Sequence, residues 1–492
     1  MGTPVEDAVP RRRGSKVQGY LVGSVAMVAV GVAATILFLV FKAVIVESGG
    51  GCGSSSRGAG RGACPEGSGK LFFLSFVPLF VLVPLALWGV RTVGRTVGCT
   101  GGAVLVLLGV YPGIVIFDWG HGRTLDVAWT VPRARGGVDA EGFWFTDTVA
   151  VRARVDGLFA FDQATGAPKW VFDIPRPDVL CGMSRTAGSG VGVIAYGPED
   201  KPCGHFAAVD LASGRTKWTK DIPPHTGSAD GVVAEGGGTV VIRESLGKLT
   251  ALSLVDGGAS WTSEAPGSLC RYDQVASGPD QIVALLNCSG ELPKAVAFDP
   301  VSGRVRWRTP VSAAGSFASV ELYSASPAVM KVRETGARGR TTVQSFDASG
   351  HAVVSYTASD DHDLTLSTNG FEATPRHDFV ITGGMIVGAT RVGYDDGVTA
   401  FRLGDGQRMW LTKLDHGLET LAVDGANLVV LGDDGATPSL TAVDLATGEK
   451  KRLGGFDVDD LANKIALHAA NGRYTLVSES TSTLYDALIG VR

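Results

Sequence analysis

One pattern recurs eight times along the C-terminal part of this 492-residue chain, and it restricts the fold more than any other feature. Each copy has a short apolar segment, a polar turn that closes on glycine, and a second segment that often ends in tryptophan, as in LFAFDQATGAPKW at 158–170. The turn glycines lie 42 to 56 residues apart, a period typical of units built from four short strands. The copies occupy residues 158–170, 207–218, 249–261, 295–307, 343–354, 398–410, 440–452 and 482–490, and their turn glycines are Gly166, Gly214, Gly257, Gly303, Gly350, Gly406, Gly448 and Gly490.

Each position of the pattern has a physical role. The segment before the turn alternates apolar and small residues, as a half-buried strand does. The turn aspartate can accept a hydrogen bond from the backbone two residues on, and the glycine can take a positive φ. Tryptophan offers a large flat surface with one donor, which suits packing between neighbouring sheets. Because no unit can bury its faces alone, the pattern predicts an all-β, eight-bladed β-propeller with four-stranded blades, rather than a β-sandwich with chance turn similarity.

The order Ala-x-Asp, then glycine, then tryptophan resembles the quinoprotein (PQQ)-like β-propeller repeat of bacterial proteins. That family includes eight-bladed quinoprotein dehydrogenases and the propeller lipoprotein of the outer-membrane barrel-assembly machinery. The resemblance covers residues 122–490 and is strongest in the first four copies. Ser253 and Arg402 replace the turn aspartate in the third and sixth copies, and tryptophan is missing from the fifth and seventh. The resemblance implies the propeller fold and leaves the roles of single positions open.

The two ends of the repeat region predict how the ring closes. The eighth copy has its strand and turn but no following tryptophan segment, because the chain ends at Arg492. An unmatched tryptophan segment, with Trp129, precedes the first copy. We therefore expect residues 124–131 to form the outer strand of the last blade and to pair with residues 483–486, which would hide two strand edges. A seven-bladed ring with a loose C-terminal segment is the alternative.

Three uncharged stretches near the N-terminus predict transmembrane helices over residues 17–41, 71–90 and 96–117. Each reaches the roughly 20 residues that a span needs. A signal peptide is the alternative for the first stretch, but its apolar core would be shorter. The chain is thus divided into a tail (1–16), a membrane domain (17–117) with a Gly/Ser-rich outer loop (42–70), and a propeller (118–492).

The basic residues beside these stretches predict the orientation. Six lie on the side of the N-terminus and four on the side of the outer loop, and the excess favours a cytoplasmic N-terminus. With three spans, the propeller then lies outside the cytoplasm, and the protein is a multi-pass protein of the cell membrane. The six are Arg11, Arg12, Arg13, Lys16, Arg91 and Arg95, and the four are Lys42, Arg57, Arg61 and Lys70.

The cysteines support an oxidising compartment. Two blades share one layout, with a cysteine opening the first strand and another just before the third, which predicts the disulfides Cys181–Cys203 and Cys270–Cys288. Four buried free thiols are the alternative. Cys52 and Cys64 share the outer loop and are a third candidate pair, whereas Cys99 is left over. No C-x-x-C pair is present, so zinc-ribbon and thioredoxin interpretations are excluded.

Chemistry-bearing motifs are scarce. The longest interval between turn glycines, from Gly350 to Gly406, holds an insertion near residues 358–377 with an acidic run at Asp360, Asp361, His362 and Asp363. This run indicates either a metal site or a solvated loop, and without a second ligand cluster we expect the loop. Calcium-loop, P-loop, H-E-x-x-H and G-x-S-x-G signals are absent. We therefore assign no catalytic, cofactor-binding or metal-binding residue.

These observations predict a non-catalytic, membrane-anchored, extracytoplasmic propeller that acts as a protein-interaction or scaffolding platform of the bacterial cell envelope. Its partners would be the lipid bilayer and an envelope protein that the sequence does not identify. The net charge of −5 argues against nucleic acid. The alternatives are a membrane-bound PQQ-dependent dehydrogenase and a sensor for a small ligand or cell-envelope material. Quinoprotein dehydrogenases that hold the quinone beneath adjacent cysteines need a Cys-Cys pair, which this chain lacks.

Overall fold

The computed structural model divides the chain into a helical unit and a propeller unit, each of which is compact. The structure describes residues 14–42, 68–93, 103–121, 124–132, 138–199, 201–223, 232–245, 247–313, 317–335, 340–357, 364–432, 438–458, 461–462, 464–480 and 485–492.

The helical unit contains helix α1 (Gly14–Lys42), helix α2 (Ser68–Val93) and helix α3 (Val110–His121), and residues 103–108 are also helical. Within α1 and α2, Val22–Lys42 and Lys70–Trp88 are long and apolar enough to cross a membrane. The third predicted span is a shorter apolar helix, Ala103–Ile116, in the part that is described. At about 1.5 Å per residue it covers about 21 Å, less than the roughly 30 Å of a bilayer core. The described residues thus support two candidate spans rather than the three predicted.

Glycines of the third segment lie against α1. A Cβ at Gly113 would lie 2.7 Å from the Cβ of Thr35. Gly109 interrupts the helix as a turn, and its amide donates to the Val106 carbonyl (3.0 Å). Small residues at such contacts let two helix backbones approach closely.

The propeller unit is a ring of eight four-stranded blades, as the repeat predicted. Blades 1 to 4 follow one another along the chain. Their strands are β2 (Ala140–Phe145), β3 (Val149–Arg154), β4 (Gly157–Asp162) and β5 (Pro168–Asp173); β6 (Asp178–Met183), β7 (Val191–Pro198), β8 (His205–Asp210) and β9 (Thr216–Asp221); β10 (Val233–Gly236), β11 (Thr239–Ser245), β12 (Lys248–Ser253) and β13 (Ala259–Glu264); and β14 (Cys270–Ser277), β15 (Ile282–Cys288), β16 (Lys294–Phe298) and β17 (Val305–Pro310).

Blades 5 to 8 complete the ring, with a two-stranded insertion between blades 5 and 6. Blade 5 has β18 (Phe317–Ala325), β19 (Ala328–Glu334), β20 (Thr341–Phe346) and β21 (Ala352–Thr357), and the insertion has β22 (Thr368–Asn369) and β23 (Arg376–His377). Blade 6 has β24 (Phe379–Thr382), β25 (Met385–Val392), β26 (Asp395–Arg402) and β27 (Arg408–Lys413); blade 7 has β28 (Thr420–Asp424), β29 (Asn427–Gly432), β30 (Ser439–Asp444) and β31 (Lys450–Gly455); blade 8 has β32 (Ile465–Ala470), β33 (Arg473–Ser478), β34 (Leu488–Val491) and β1 (Val127–Val131).

Each blade is an antiparallel sheet, and the outer strands of all blades except 5 and 7 carry the repeat tryptophan. In blades 1 and 2, for example, Trp170 is paired with Ala160 and Trp218 with Ala208. The small alanine leaves room for the indole ring. The Ala-x-Asp element therefore reflects cross-strand packing as well as turn formation.

The ring closes through β1, which pairs with β34, so the predicted closure by the segment before the first repeat is confirmed. The predicted register is wrong. The partner strand is Leu488–Val491 rather than residues 483–486, and Gly490 lies within β34 opposite Trp129 instead of in a turn. Gly490 thus occupies the alanine position of the repeat. Blade 8 has no turn between its third and fourth strands, because β34 and β1 come from opposite ends of the repeat region, and this glycine is therefore a strand residue.

The hydrophobic core is divided among the junctions between blades. Blades 1 and 2 share a cluster that includes Val151, Leu158 and Ile194, and blades 7 and 8 share one that includes Leu431 and Leu476. Each blade therefore buries its faces only through its neighbours, as expected for a repeat that is unstable alone.

Candidate functional site at the ring centre

The turns between the third and fourth strands are built by a glycine and, except in blades 3 and 6, by an aspartate. Asp162 Oδ1 accepts from the amides of Ala164 (3.0 Å) and Thr165 (3.1 Å) and from the Thr165 hydroxyl (3.0 Å). The hydrogen-bonded ion pair with Lys169, together with these turn hydrogen bonds, lowers the pKa of Asp162. The turn glycines of blades 1 to 7 all have positive φ, between 65° and 82°. Seven of the eight predicted turns are thus formed, and in blade 8 the third and fourth strands, β34 and β1, are not consecutive in the chain.

Each repeat tryptophan packs on the turn of the next blade. Trp170 lies against Gly214, where a Cβ would lie 2.5 Å from the indole Cδ2, and its indole N–H donates to the Leu211 carbonyl (3.0 Å). Across the closure, Trp129 of β1 packs on Gly166 and donates to the Gln163 carbonyl (3.1 Å). The tryptophan contact thus continues through the junction where the ends of the ring meet.

The turn of blade 5 departs from this arrangement. Its glycine amide, at Gly350, bonds to Asp347 three residues back (3.0 Å), whereas Gly166 bonds to Asp162 four residues back (2.8 Å). The turn is therefore one residue shorter. Trp307 still packs on Gly350, but its buried indole nitrogen has no hydrogen-bond partner among the described residues.

Blades 2 and 4 each contain one internal disulfide. Cys181 is bonded to Cys203, with Cα atoms 6.1 Å apart, and Cys270 to Cys288, with Cα atoms 4.0 Å apart. These are the two pairs that the shared layout predicted. The third candidate pair, Cys52 and Cys64, lies outside the described residues.

The insertion between blades 5 and 6 crosses the centre of the ring. We call residues 364–378 the strap. From blades 5 and 6 it extends to blades 8 and 1 on the far side, where the Ala373 amide donates to the Glu141 carbonyl (2.8 Å) and the Phe143 amide donates to the Thr374 hydroxyl (3.0 Å). The acidic run at 360–363, just before the strap, lies outside the described residues. Among the residues that the structure does describe, no group of three His, Cys, Asp or Glu side chains is placed to hold a metal ion.

Phe371 anchors the strap in the core between blades 8 and 1. Its side chain is 0% exposed, and its ring lies edge-on to Phe143 with centroids 4.9 Å apart. Its amide donates to the carboxylate of Glu479 (2.8 Å). The backbone of Phe371 is left-handed, with φ 54°, a conformation that is unfavourable for a bulky residue. Tertiary contacts therefore hold this residue in place.

A polar cavity of about 490 Å³ lies between the strap and the first strands of blades 4 and 5. Lys331 bridges its wall and the strap, since its ammonium contacts Glu321 Oε2 (2.9 Å) and donates to the Leu366 carbonyl (3.2 Å). Arg185, after the first strand of blade 2, donates to the Leu322 carbonyl of blade 5 (3.2 Å). Burial and the Glu321 carboxylate raise the pKa of Tyr323, whose hydroxyl thus stays protonated.

Carboxylates gather where the strap meets blade 1. Burial raises the pKa of Glu141, and the negative charges of Glu372, Glu479 and Asp139 raise it further. Glu372 belongs to the strap and, with the Cys181–Cys203 disulfide, lines a smaller cavity of about 200 Å³. The strap therefore carries charge as well as apolar contacts into the ring.

Sequence reasoning located the insertion but missed its role. The 56-residue interval between Gly350 and Gly406 was the available signal. Nothing nearby in the sequence indicated that Phe371 would be buried against blades 8 and 1, or that His377 and Leu366 would line a cavity with Tyr323.

A closed ring of PQQ-type repeats with a strap across its centre defines the class: an eight-bladed repeat propeller. The chain belongs to the family described as outer membrane protein assembly factor BamB, whose profile matches residues 113–279 and 204–412. It is a PQQ-like, BamB-like propeller protein.

Solved structures to which the chain is similar include BamB from Moraxella catarrhalis, which is 15% identical and has a TM-score of 0.44, with 75% of this chain and 99% of that chain covered. The computationally designed Ika8 protein is 14% identical with a TM-score of 0.47, covering 74% and 98%. The quinohemoprotein alcohol dehydrogenase from Comamonas testosteroni is 14% identical with a TM-score of 0.42, covering 75% and 76%. No curated protein matches the chain.

Proposed function

We propose that this protein is a membrane-anchored, extracytoplasmic propeller that binds an envelope protein and performs no catalysis. The observation that carries the proposal is a group of exposed apolar side chains on loops at the rim that holds the strap. Leu269 and Leu292 are 73% and 50% exposed, and Tyr394 is fully exposed. Large apolar side chains that form an exposed patch are typical of protein-interaction sites, and Leu269 and Leu292 lie on neighbouring loops of blade 4.

The direction of the strands places these side chains and the strap at the same rim of the propeller. Successive strands run in opposite directions, so the first and third strands of every blade begin at the same rim. The strap leads into a first strand, β24; Leu269 precedes β14, and Leu292 and Tyr394 precede the third strands β16 and β26. The loops of blade 4 are also held together, because the Cys270–Cys288 disulfide lies between them and the Ser289 amide donates to the Leu269 carbonyl (3.0 Å).

Membrane anchoring is supported by the two candidate spans in α1 and α2. We propose a multi-pass topology with a cytoplasmic N-terminus, in which residues 96–117 complete the membrane domain. The two disulfides support an oxidising location for the propeller. Alkaline carbonate extraction should leave the chain in the membrane pellet, and protease added to spheroplasts should digest the propeller. Release by carbonate, or protection from the protease, would contradict this arrangement.

The quinoprotein alternative requires a site for pyrroloquinoline quinone, a flat tricarboxylate. At the ring centre, the Glu321 carboxylate lines the cavity and would repel such an anion. Two cations also line this cavity, but Lys331 is already bonded to Glu321 and to the Leu366 carbonyl, and Arg185 donates to the Leu322 carbonyl. The residues present do not fit this cofactor, which favours the non-catalytic role.

The interaction surface is tested by co-purification of the full chain from its own membranes, with quantitative mass spectrometry. The double variant Leu269→Ser/Leu292→Ser should reduce capture of the partner about tenfold. Val301→Ser is the matched control, because Val301 is 78% exposed on the same blade but at the opposite rim. Equal recovery of the partner with the wild type, the double variant and Val301→Ser would refute the assignment of the interaction surface to this rim.

A further inference from the structure

The cavity beneath the strap combines an aromatic wall with separate hydrogen-bonding groups. Tyr323 and His377 both line it, with ring centroids 5.2 Å apart. Phe379 supports both rings from blade 6, at 4.6 Å from Tyr323 and 4.9 Å from His377. The wall is therefore fixed before any ligand arrives, which lowers the ordering cost of binding.

Glu321 offers an acceptor to the cavity. The Tyr323 hydroxyl (3.3 Å) and the Lys331 ammonium (2.9 Å) both contact its Oε2. Its Oε1 has no hydrogen bond within the part of the chain that the structure describes, and the side chain is 39% exposed. The fixed position of the carboxylate thus leaves one oxygen able to accept from a ligand hydroxyl.

The strap supplies groups that can donate. Ser367 and Thr368 line the same cavity through β22 and the residue before it, and the Thr368 hydroxyl lies 3.2 Å from His377 Nδ1. Hydroxyl groups both donate and accept. A ligand rich in hydroxyls can therefore satisfy Glu321 on one side and the strap on the other.

We propose that this cavity binds a neutral saccharide of one or two rings. The apolar C–H face of a sugar ring would lie on His377 and on the part of Tyr323 beside the Lys331 ammonium, which is 5.7 Å from the Tyr323 ring centroid. The sugar hydroxyls would bond to Glu321 and Thr368. A cavity of about 490 Å³ falls within the roughly 300–1,000 Å³ usual for small-ligand sites. Arg185 and Lys331 also line the cavity, but Arg185 is bonded to the Leu322 carbonyl and Lys331 to Glu321, so the open oxygen of the Glu321 carboxylate disfavours acidic sugars. This inference does not rest on the partner-binding role proposed above.

The test is isothermal titration calorimetry on the full chain in lauryl-dimethylamine oxide, a detergent without a sugar headgroup. The probes are glucose, galactose, N-acetylglucosamine and trehalose, with glucuronate as the anionic comparison. We expect at least one neutral sugar to bind with millimolar affinity or better, and glucuronate to bind more weakly than glucose. No binding by any neutral probe, or tighter binding of glucuronate, would overturn the proposal.

Two variants locate the site. Glu321→Gln should weaken binding about tenfold, because a hydrogen bond to a charged group is lost. Thr368→Ala, at an exposed strap position, should weaken it about threefold even if Glu321→Gln proves unstable. Glu291→Gln is the control, since Glu291 forms an exposed ion pair with Lys294 in blade 4. Unchanged sugar affinity in Thr368→Ala and in folded Glu321→Gln would refute the saccharide site. Loss of partner capture with normal sugar binding would contradict only the partner-binding proposal.

Discussion

Replacement of Phe371 tests whether the strap stabilises the closure of the ring. The side chain is fully buried between the first and last blades, together with Ala150, Val477 and Leu488. Phe371→Ala should cost about 3–5 kcal/mol, the usual range for truncating a buried phenylalanine. For a propeller of roughly 370 residues, that corresponds to a fall in Tm of about 4–6 °C. Hydrogen exchange should increase first in β1 and β34, because their junction loses the anchor.

The left-handed backbone of Phe371 also determines the relative stability of two substitutions at this position. At φ 54° alanine retains a steric cost of about 1–2 kcal/mol that glycine does not have. Glycine loses about 0.5–1 kcal/mol through its more flexible unfolded state. Phe371→Gly should therefore be more stable than Phe371→Ala by about 0.5–1 kcal/mol, the reverse of the usual order.

The assay is urea unfolding of the full chain in detergent micelles, with exchange followed by mass spectrometry. Ala373→Gly is the matched control, because Ala373 is buried in the same strap but has no positive φ. There the glycine should be the less stable residue. A cost below about 1 kcal/mol for Phe371→Ala would refute the anchoring role, and a normal order of alanine and glycine would refute the strained backbone.

Three further predictions concern the turns, the strap junction and the chemistry. Gly303→Ala should cost about 2–3 kcal/mol, since the new Cβ would lie 2.5 Å from Trp261 in addition to the cost of positive φ. Gly393→Ala is the control and should cost only about 1 kcal/mol, because Gly393 has nearly the same φ (66°) but nothing within 4 Å of the new Cβ. Equal urea midpoints would contradict the packing argument. Because the folded-state pKa of Glu141 is raised, its ionisation lowers stability as pH rises above about 4.5, so Glu141→Gln should gain stability relative to wild type between pH 4 and pH 7. Glu291, whose pKa is lowered, is the control: Glu291→Gln should show no such gain, and parallel pH profiles for Glu141→Gln and wild type would refute the assignment. Purified protein mixed with pyrroloquinoline quinone and calcium should neither bind the cofactor tightly nor reduce a dye with alcohols or aldoses, and stoichiometric binding at micromolar concentration would contradict the non-catalytic proposal.

The sequence alone determined the features that repeat or depend on near neighbours. The turn aspartates and glycines act within five residues of each other, and each tryptophan contacts the turn one repeat later, so their periodicity predicted blades, ring and closure. Cys181–Cys203 and Cys270–Cys288 were also predictable, because their layout recurs in two blades and the bonded residues are 22 and 18 positions apart.

Only the tertiary structure decided what lies at the centre of the ring. The strap makes contacts that have no local sequence signal, since Thr374 bonds to Phe143 across 231 positions and Phe371 to Glu479 across 108. The register of β34 likewise depends on which residue meets Trp129 across the closure, and the incomplete eighth repeat did not specify it. Periodic local interactions are encoded in neighbouring residues, whereas a single non-repeated segment is positioned by the whole ring around it. That is why the sequence revealed the propeller, and why the covered cavity appeared only once the blades were assembled.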